Sequence, residues 1–292
     1  MRARIGSTFQ SLRVRNYRLF ATGQLISLIF GWVQITAQDW LVLQVSHNSG
    51  TALGVVTAFQ FAPILLLSLY AGKLADRFDK RTLLLVANAL YLVLAGGMGA
   101  IVTLGHVRLG YVFAFALLWG AVSAVEQPVR QAFVSELVPN ELLPNALALS
   151  AATFNSARIL GPALGGVAIA TLGTGPAFVL NAVSYAGPLI VLGLMRVVEF
   201  NRDSSRVRRT AAEARVRDGL RYVARRPDLV LPMALMLVIS SLAFNFNLTM
   251  PLLARAVFHQ GAASFGLLST SLAVGALVGA LAGSGRRARP SV

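Results

Sequence analysis

The sequence contains no cysteine. That excludes a disulfide framework, a thiolate zinc site and a cysteine nucleophile. Acidic residues are also scarce, 11 Asp and Glu against 26 Lys and Arg in 292 residues. The three histidines, His47, His106 and His259, fall in or beside loops and have no metal-ligand spacing. There is no G-x-x-x-x-G-K-[ST] loop, so no ATP-hydrolysing pump is built into this chain, and no HExxH, GxSxG or clustered His and Asp supports a membrane-embedded enzyme. What the chain does have is apolar surface. Hydrophobic residues make up 56% of it and the mean hydropathy is +0.68, well above the roughly 45 to 50% apolar usage of soluble domains. Such a chain belongs in a bilayer.

Apolar stretches near the ~20 residues needed to cross the hydrocarbon core recur at about 19–45, 53–75, 82–104, 109–132, 146–172, 177–198, 229–255 and 264–283. This pattern predicts eight transmembrane helices. The first apolar run is too long for a signal peptide and no small-residue cleavage site follows it, so it is expected to be an uncleaved span.

A net charge of +15 and a sequence pI near 11.5 would point a soluble protein toward nucleic acid. Here the charges are sorted by loop. One side carries Arg2, Arg4, Arg13, Arg15 and Arg18, then Lys73, Arg77, Lys80 and Arg81, then Arg130, then ten arginines from Arg196 to Arg226, then Arg286, Arg287 and Arg289; the other carries only Arg108 and Arg255. Cytoplasmic loops retain the positive residues. The expectation is therefore a multi-pass protein of the cell membrane with both termini cytoplasmic, and no nucleic-acid partner is needed.

The one long loop separates six spans from two. Within it, Ala212, Val216, Leu220 and Val223 fall at helical spacing with arginines on the other face. Such a basic amphipathic helix is expected either to lie on the anionic lipids of the inner leaflet or to be a solvated linker. GTALGVV from Gly50 and GAASFGLL from Gly261 open the second and eighth spans, so spans seven and eight look like a second copy of one and two. Two parallel six-helix halves produce this pattern. The expected domains are a six-helix half at 1–196, a basic linker at 197–228, and the first two helices of a second half at 229–292.

GKLADRFDKR, with Gly72, Asp76, Arg77 and Arg81, resembles the signature between the second and third helices of the major facilitator superfamily, usually Gly-x-Leu-Ala-Asp-Arg-x-Gly-Arg-Arg. It departs at Asp79, where the family commonly has Gly. ARILGPALGG, with Gly161, Pro162, Gly165 and Gly166, resembles the fifth-helix signature of the antiporter branch, with Ala157 at the first Gly position. NYRLFATGQLIS, AQDWLVLQ, EQPVRQAF and GLRYVARRPDL are similar to the drug-efflux subgroup that includes macrolide and siderophore exporters. The resemblance covers the whole chain. It implies an all-α polytopic membrane protein with a major-facilitator-type bundle, eight of the usual twelve transmembrane helices. The implied function is proton-driven export of small amphipathic molecules by alternating access, with the proton gradient as energy source and no cofactor. It also implies that the chain is C-terminally truncated, or that a partner chain supplies the missing helices. The other class considered is a non-transporting fragment or scaffold.

Within that frame the residues acquire expected roles. Gly72 would let two helices approach, and Asp76 beside Arg77 would form a cytoplasmic latch with Arg130 as partner, the bland alternative being a positive cluster that only sets topology. Pro162 removes a backbone donor in mid-helix, and small residues through Ala157, Gly161 and Gly165 strip one face of the fifth span. Gly275, Gly279 and Gly283 do the same for the eighth. The two stripes are expected to meet across the halves or else to pack within their own. Asp39, Glu126 and Arg158 are the ionisable residues within the spans, each costly in lipid. The acids are candidates for proton coupling or for a cationic substrate, and Arg158 for holding one of them or an anionic substrate. For Asp39 and Glu126, solvated structural roles near helix ends remain the alternative. Gln34 and Gln38 share a face of the first span and suit either a polar cavity or interhelical hydrogen bonding.

Overall fold

The computed structural model describes residues 9–200, 222, 226–242 and 246–284. Among them every regular element is helical: α1 (Arg15–Val45), α2 (Gly50–Arg77), α3 (Lys80–Thr103), α4 (Leu109–Leu137), α5 (Leu143–Leu172), α6 (Thr174–Ser184), α7 (Ala186–Leu194), α8 (Pro227–Leu242), α9 (Phe246–Leu252) and α10 (Ala262–Ser284). Short connections make the first of these run alternately up and down. One end of the bundle then collects Arg15, Arg77, Lys80 and Arg196, and it is called here the basic end.

Five segments among the described residues are long and apolar enough to cross a membrane: α1, the Gly50–Leu67 part of α2, α3, α4, and α6 with α7 taken together. α5 has the length, 30 residues, but carries Asn145, Asn155 and Arg158. In α10 the apolar helix is the shorter stretch Ala262–Leu272. Eight uniform spans were expected. The later part is interrupted instead, with α9 passing into a π-helical turn at Leu253–Val257. The expected linker helix lies largely outside the described residues.

Local chemistry explains several boundaries. The Ser49 side chain accepts from the Ala52 backbone N–H at 3.2 Å and starts α2. Asp79 does the same for α3, accepting from the Thr82 N–H and hydroxyl, both at 2.9 Å. The residue at which the sequence departs from the family signature is thus a helix cap. Gly173, at φ +90°, turns the chain from α5 into α6 through backbone space closed to most side chains. The sixth span is broken at Tyr185. Pro188 has no N–H to give the Ser184 carbonyl, and the Tyr185 N–H bonds to Ala182 one residue short of helical register.

The helices pack at glycines. A Cβ at Gly120 of α4 would stand 3.1 Å from the Phe59 carbonyl oxygen of α2, and one at Gly99 of α3 would stand 3.1 Å from the Val179 nitrogen of α6. Two apolar cores result. The one at the far end includes Leu43, Leu53, Phe115, Trp119 and Phe178; the one at the basic end includes Tyr17, Phe20, Leu84, Phe133 and Leu192. Large apolar side chains also face outward, Leu65 at 80% and Leu66 at 71% exposure. That is unfavourable in water and natural against lipid tails.

Candidate functional site

Between the two cores lies a cavity of about 270 Å³ bounded by α1 to α5 and by Tyr185 at the α6–α7 break. Its polar lining comes from Gln24 and Ser27 of α1, Gln60 of α2, Asn88 and Tyr91 of α3, and Ser123, Glu126, Gln127 and Arg130 of α4. Trp32, Phe61, Trp119, Phe154 and Tyr185 supply aromatic walls. Tyr91 and Tyr185 stack at 5.1 Å, and Trp119 sits 4.2 Å from Tyr91.

The central charges are an ion pair within one helix. Arg130 Nε donates to Glu126 Oε1 at 2.9 Å, four residues apart, and the two side chains are only 15% and 11% exposed. Spacing of i,i+4 puts both on one face of α4, and each offsets the cost of carrying the other out of water. Around them much of the hydrogen-bonding capacity is already engaged. The Tyr91 and Ser123 hydroxyls bond to each other at 2.7 Å, Asn88 donates to the Leu84 carbonyl at 2.7 Å, and Gln38 donates to Gln60 at 3.4 Å.

The residues singled out from sequence disperse to different places. Of the five cavity candidates only Glu126 lines the cavity. Gln34 is buried and accepts from Asn181 of α6 at 2.6 Å, a bond between helices. Gln38 reaches the cavity only through Gln60. Asp39 is buried one turn beyond Ile35, outside the lining, with no hydrogen bond or ion pair among the described residues. Next to it Trp40 stacks on Phe265 of α10, and the Arg255 guanidinium lies 4.8 Å over its ring. Arg158 is exposed on α5, away from the cavity.

The residues expected to form the latch also go to different places. Arg130 belongs to the cavity pair, and the side chain of Asp76 lies outside the described residues. A Cβ added at Gly72 would meet nothing within 4 Å among the described residues, so no close helix contact is seated there among them. Arg77 is exposed. Arg81 donates to the Leu192 and Gly193 carbonyls at 2.7 and 3.3 Å and so caps the C-terminus of α7. Sequence reasoning passed over the ion pair that does join helices at this end, Lys80 with Glu136 at 2.5 Å.

The small-residue stripe of α5 divides between two neighbours. Ala157 is fully buried. A Cβ at Gly161 would stand 3.2 Å from Trp32 Cα, and one at Gly165 would stand 3.0 Å from Thr36 Cβ, so both seat α1 within the same bundle. Gly166 faces the other way, where a Cβ would lie 3.0 Å from the Ala262 carbonyl oxygen and closer still to Gly266 Cα. α5 and α10 therefore meet at Gly166 and Gly266. Gly275 has open space around it, and the surroundings of Gly279 and Gly283 lie outside the described residues.

Residues 6–291 match the family model described as transmembrane secretion effector. The staphyloferrin A transporter of Staphylococcus aureus (strain NCTC 8325 / PS 47) is 27% identical over 267 residues, 90% of this chain and 66% of that protein. The multidrug efflux pump Tap of Mycobacterium tuberculosis (strain ATCC 25618 / H37Rv) is 27% identical over 211 residues, 70% of this chain and 49% of that protein. The uncharacterized MFS-type transporter YfiS of Bacillus subtilis (strain 168) is 25% identical over 209 residues, with 71% and 49% covered. The chain thus spans about two thirds of the length of the first relative and about half of the other two.

Proposed function

From a chain that belongs to the transmembrane secretion effector family, within the major facilitator superfamily, we propose a secondary transporter that exports small amphipathic molecules by alternating access. The observation that carries this is the cavity, a largely apolar, aromatic-walled chamber with a charged pair in its lining, inside a bundle whose outer surface is apolar. The names of two relatives, a staphyloferrin A transporter and a multidrug efflux pump, support transport, and the second supports export. In this reading the basic end faces the cytoplasm, residues 1–196 form one six-helix half, 197–228 a linker on anionic lipid, and 229–292 the opening of a second half. Proton influx drives the cycle, with Glu126 and Asp39 as the carboxylates available to carry the proton. No catalytic role is assigned.

A second reading is favoured by Arg158, an exposed cation midway along a membrane-length helix. Such a charge costs about 2.5–3.5 kcal/mol at the bilayer centre and calls for a protein partner or water on that face. In this reading the chain moves substrate only beside a partner bundle.

Uptake of a fluorescent amphiphile into inverted vesicles carrying the chain decides between them. Uptake abolished by a proton uncoupler supports the transporter acting alone. Absence of uptake, restored by co-expressing a second bundle, supports the partnered form; absence in both cases refutes export.

A further inference from the structure

Arg130 is bound on one edge only. Its Nε faces Glu126, and no other hydrogen bond or ion pair reaches it among the described residues. The two Nη atoms, with four N–H groups between them, belong to a side chain that lines the cavity. Neighbouring groups tilt the balance further toward donors. Gln60 spends its carbonyl oxygen on Gln38, which leaves its amide N–H groups over, whereas Glu126 has already given one oxygen to Arg130. A ligand cation would have to approach Glu126 beside a guanidinium that already neutralises it. A ligand carboxylate meets the open Nη edge, whose paired N–H groups match its two oxygens. The stacked Tyr91 and Tyr185 rings and the Trp119 indole tilted against them offer apolar aromatic surface beside it.

We propose that the Nη edge of Arg130 is a carboxylate-binding subsite. The cavity then selects acceptor-rich anionic molecules with an apolar aromatic body over cationic ones, and Glu126 acts as a positioning residue that holds the guanidinium from its Nε side. This deepens the transporter reading and rests on it for the cavity's being a substrate site.

The chain contains three tryptophans, two of which, Trp32 and Trp119, line the cavity. Intrinsic fluorescence in lipid nanodiscs therefore reports occupancy when the ligand is a quencher. The probes are 4-nitrobenzoate, 4-nitrobenzamide and 4-nitrobenzylammonium. The expected result is saturable quenching by the carboxylate with a Kd at least about tenfold below that of the ammonium. R130Q and R130K both weaken the carboxylate by about tenfold or more and weaken the amide, which offers a single oxygen, by a clearly smaller factor, since lysine keeps the charge but lacks the fork. E126Q, whose amide oxygen can still accept from Nε, tightens carboxylate binding by removing a like charge, whereas E126A, which leaves Nε unheld, weakens it severalfold. Tighter binding of the ammonium, lost in E126Q, overturns the proposal, and the comparison of probes on the unaltered chain does not depend on any variant folding. If none of the three probes quenches saturably, the subsite proposal falls, and the transporter reading stands or falls separately on vesicle uptake. Carboxylate binding without vesicle uptake keeps the subsite and removes only export.

Discussion

Single residues of one type behave differently here because their surroundings differ. Gly161 and Gly72 both stand in family-like motifs, yet a side chain at the first would press on Trp32 and at the second would enter open space. G161L is therefore expected to cost about 1–3 kcal/mol through overpacking. G72A should stay within about 0.5 kcal/mol. Melting temperatures of the purified variants in detergent compare them directly. The same contrast holds for charge. Lys80 and Glu136 are a largely buried pair, and a double-mutant cycle on them should return a coupling of about 0.5–3 kcal/mol, while R77A should leave the melting temperature where it was. The Glu126–Arg130 pair was legible in EQPVRQAF, because i,i+4 spacing of opposite charges needs only the helical period. It was missed because Arg130 was assigned to a loop-level latch. Asn88, Tyr91 and Tyr185 carried no such signal, since a polar or aromatic side chain in an apolar run looks the same whether it faces a cavity or a neighbouring helix.

At the level of elements, periodicity and length place the first five helices well, and departures occur where a proline or a capping side chain intervenes. The sixth span reads as one apolar run, but Pro188 divides it and swings Tyr185 into the cavity wall. Nothing in hydropathy marks that division, because both pieces are apolar enough to read on as one run. Asp79 illustrates the reverse: a sequence oddity with a local reason. Replacing it by Ala removes two hydrogen bonds at the start of α3 and is expected to cost about 0.5–2 kcal/mol, read as a lower thermal midpoint, with D79S retaining most of the stability. At the far end, α1 meets α10 through Trp40, Phe265 and Arg255. A cation over an indole face is worth about 0.5–2 kcal/mol. R255Q should accordingly make a single cysteine placed at the buried Ala262 react faster with a water-soluble maleimide, whereas an unchanged rate would show that the contact does not keep that position covered.

For the whole molecule, the absence of cysteine gives labelling experiments no background. With the basic end inside, a cysteine at Asn48 should be modified in intact cells and one at Phe78 only after permeabilisation. Labelling of Phe78→Cys from outside would invert the proposed orientation. The class of the fold and the pairing of helices at small residues were open to sequence reasoning, since both follow from apolar length and from glycine's lack of a side chain. Which neighbour each glycine meets was not, because residues one position apart on α5 face different helices, Gly165 toward α1 and Gly166 toward α10. Where Gly166 crosses Gly266, main chain lies against main chain with no side chain between them. Even a methyl group at either position would act as a wedge, and the seam between the bundle and α10 would have to open to admit it.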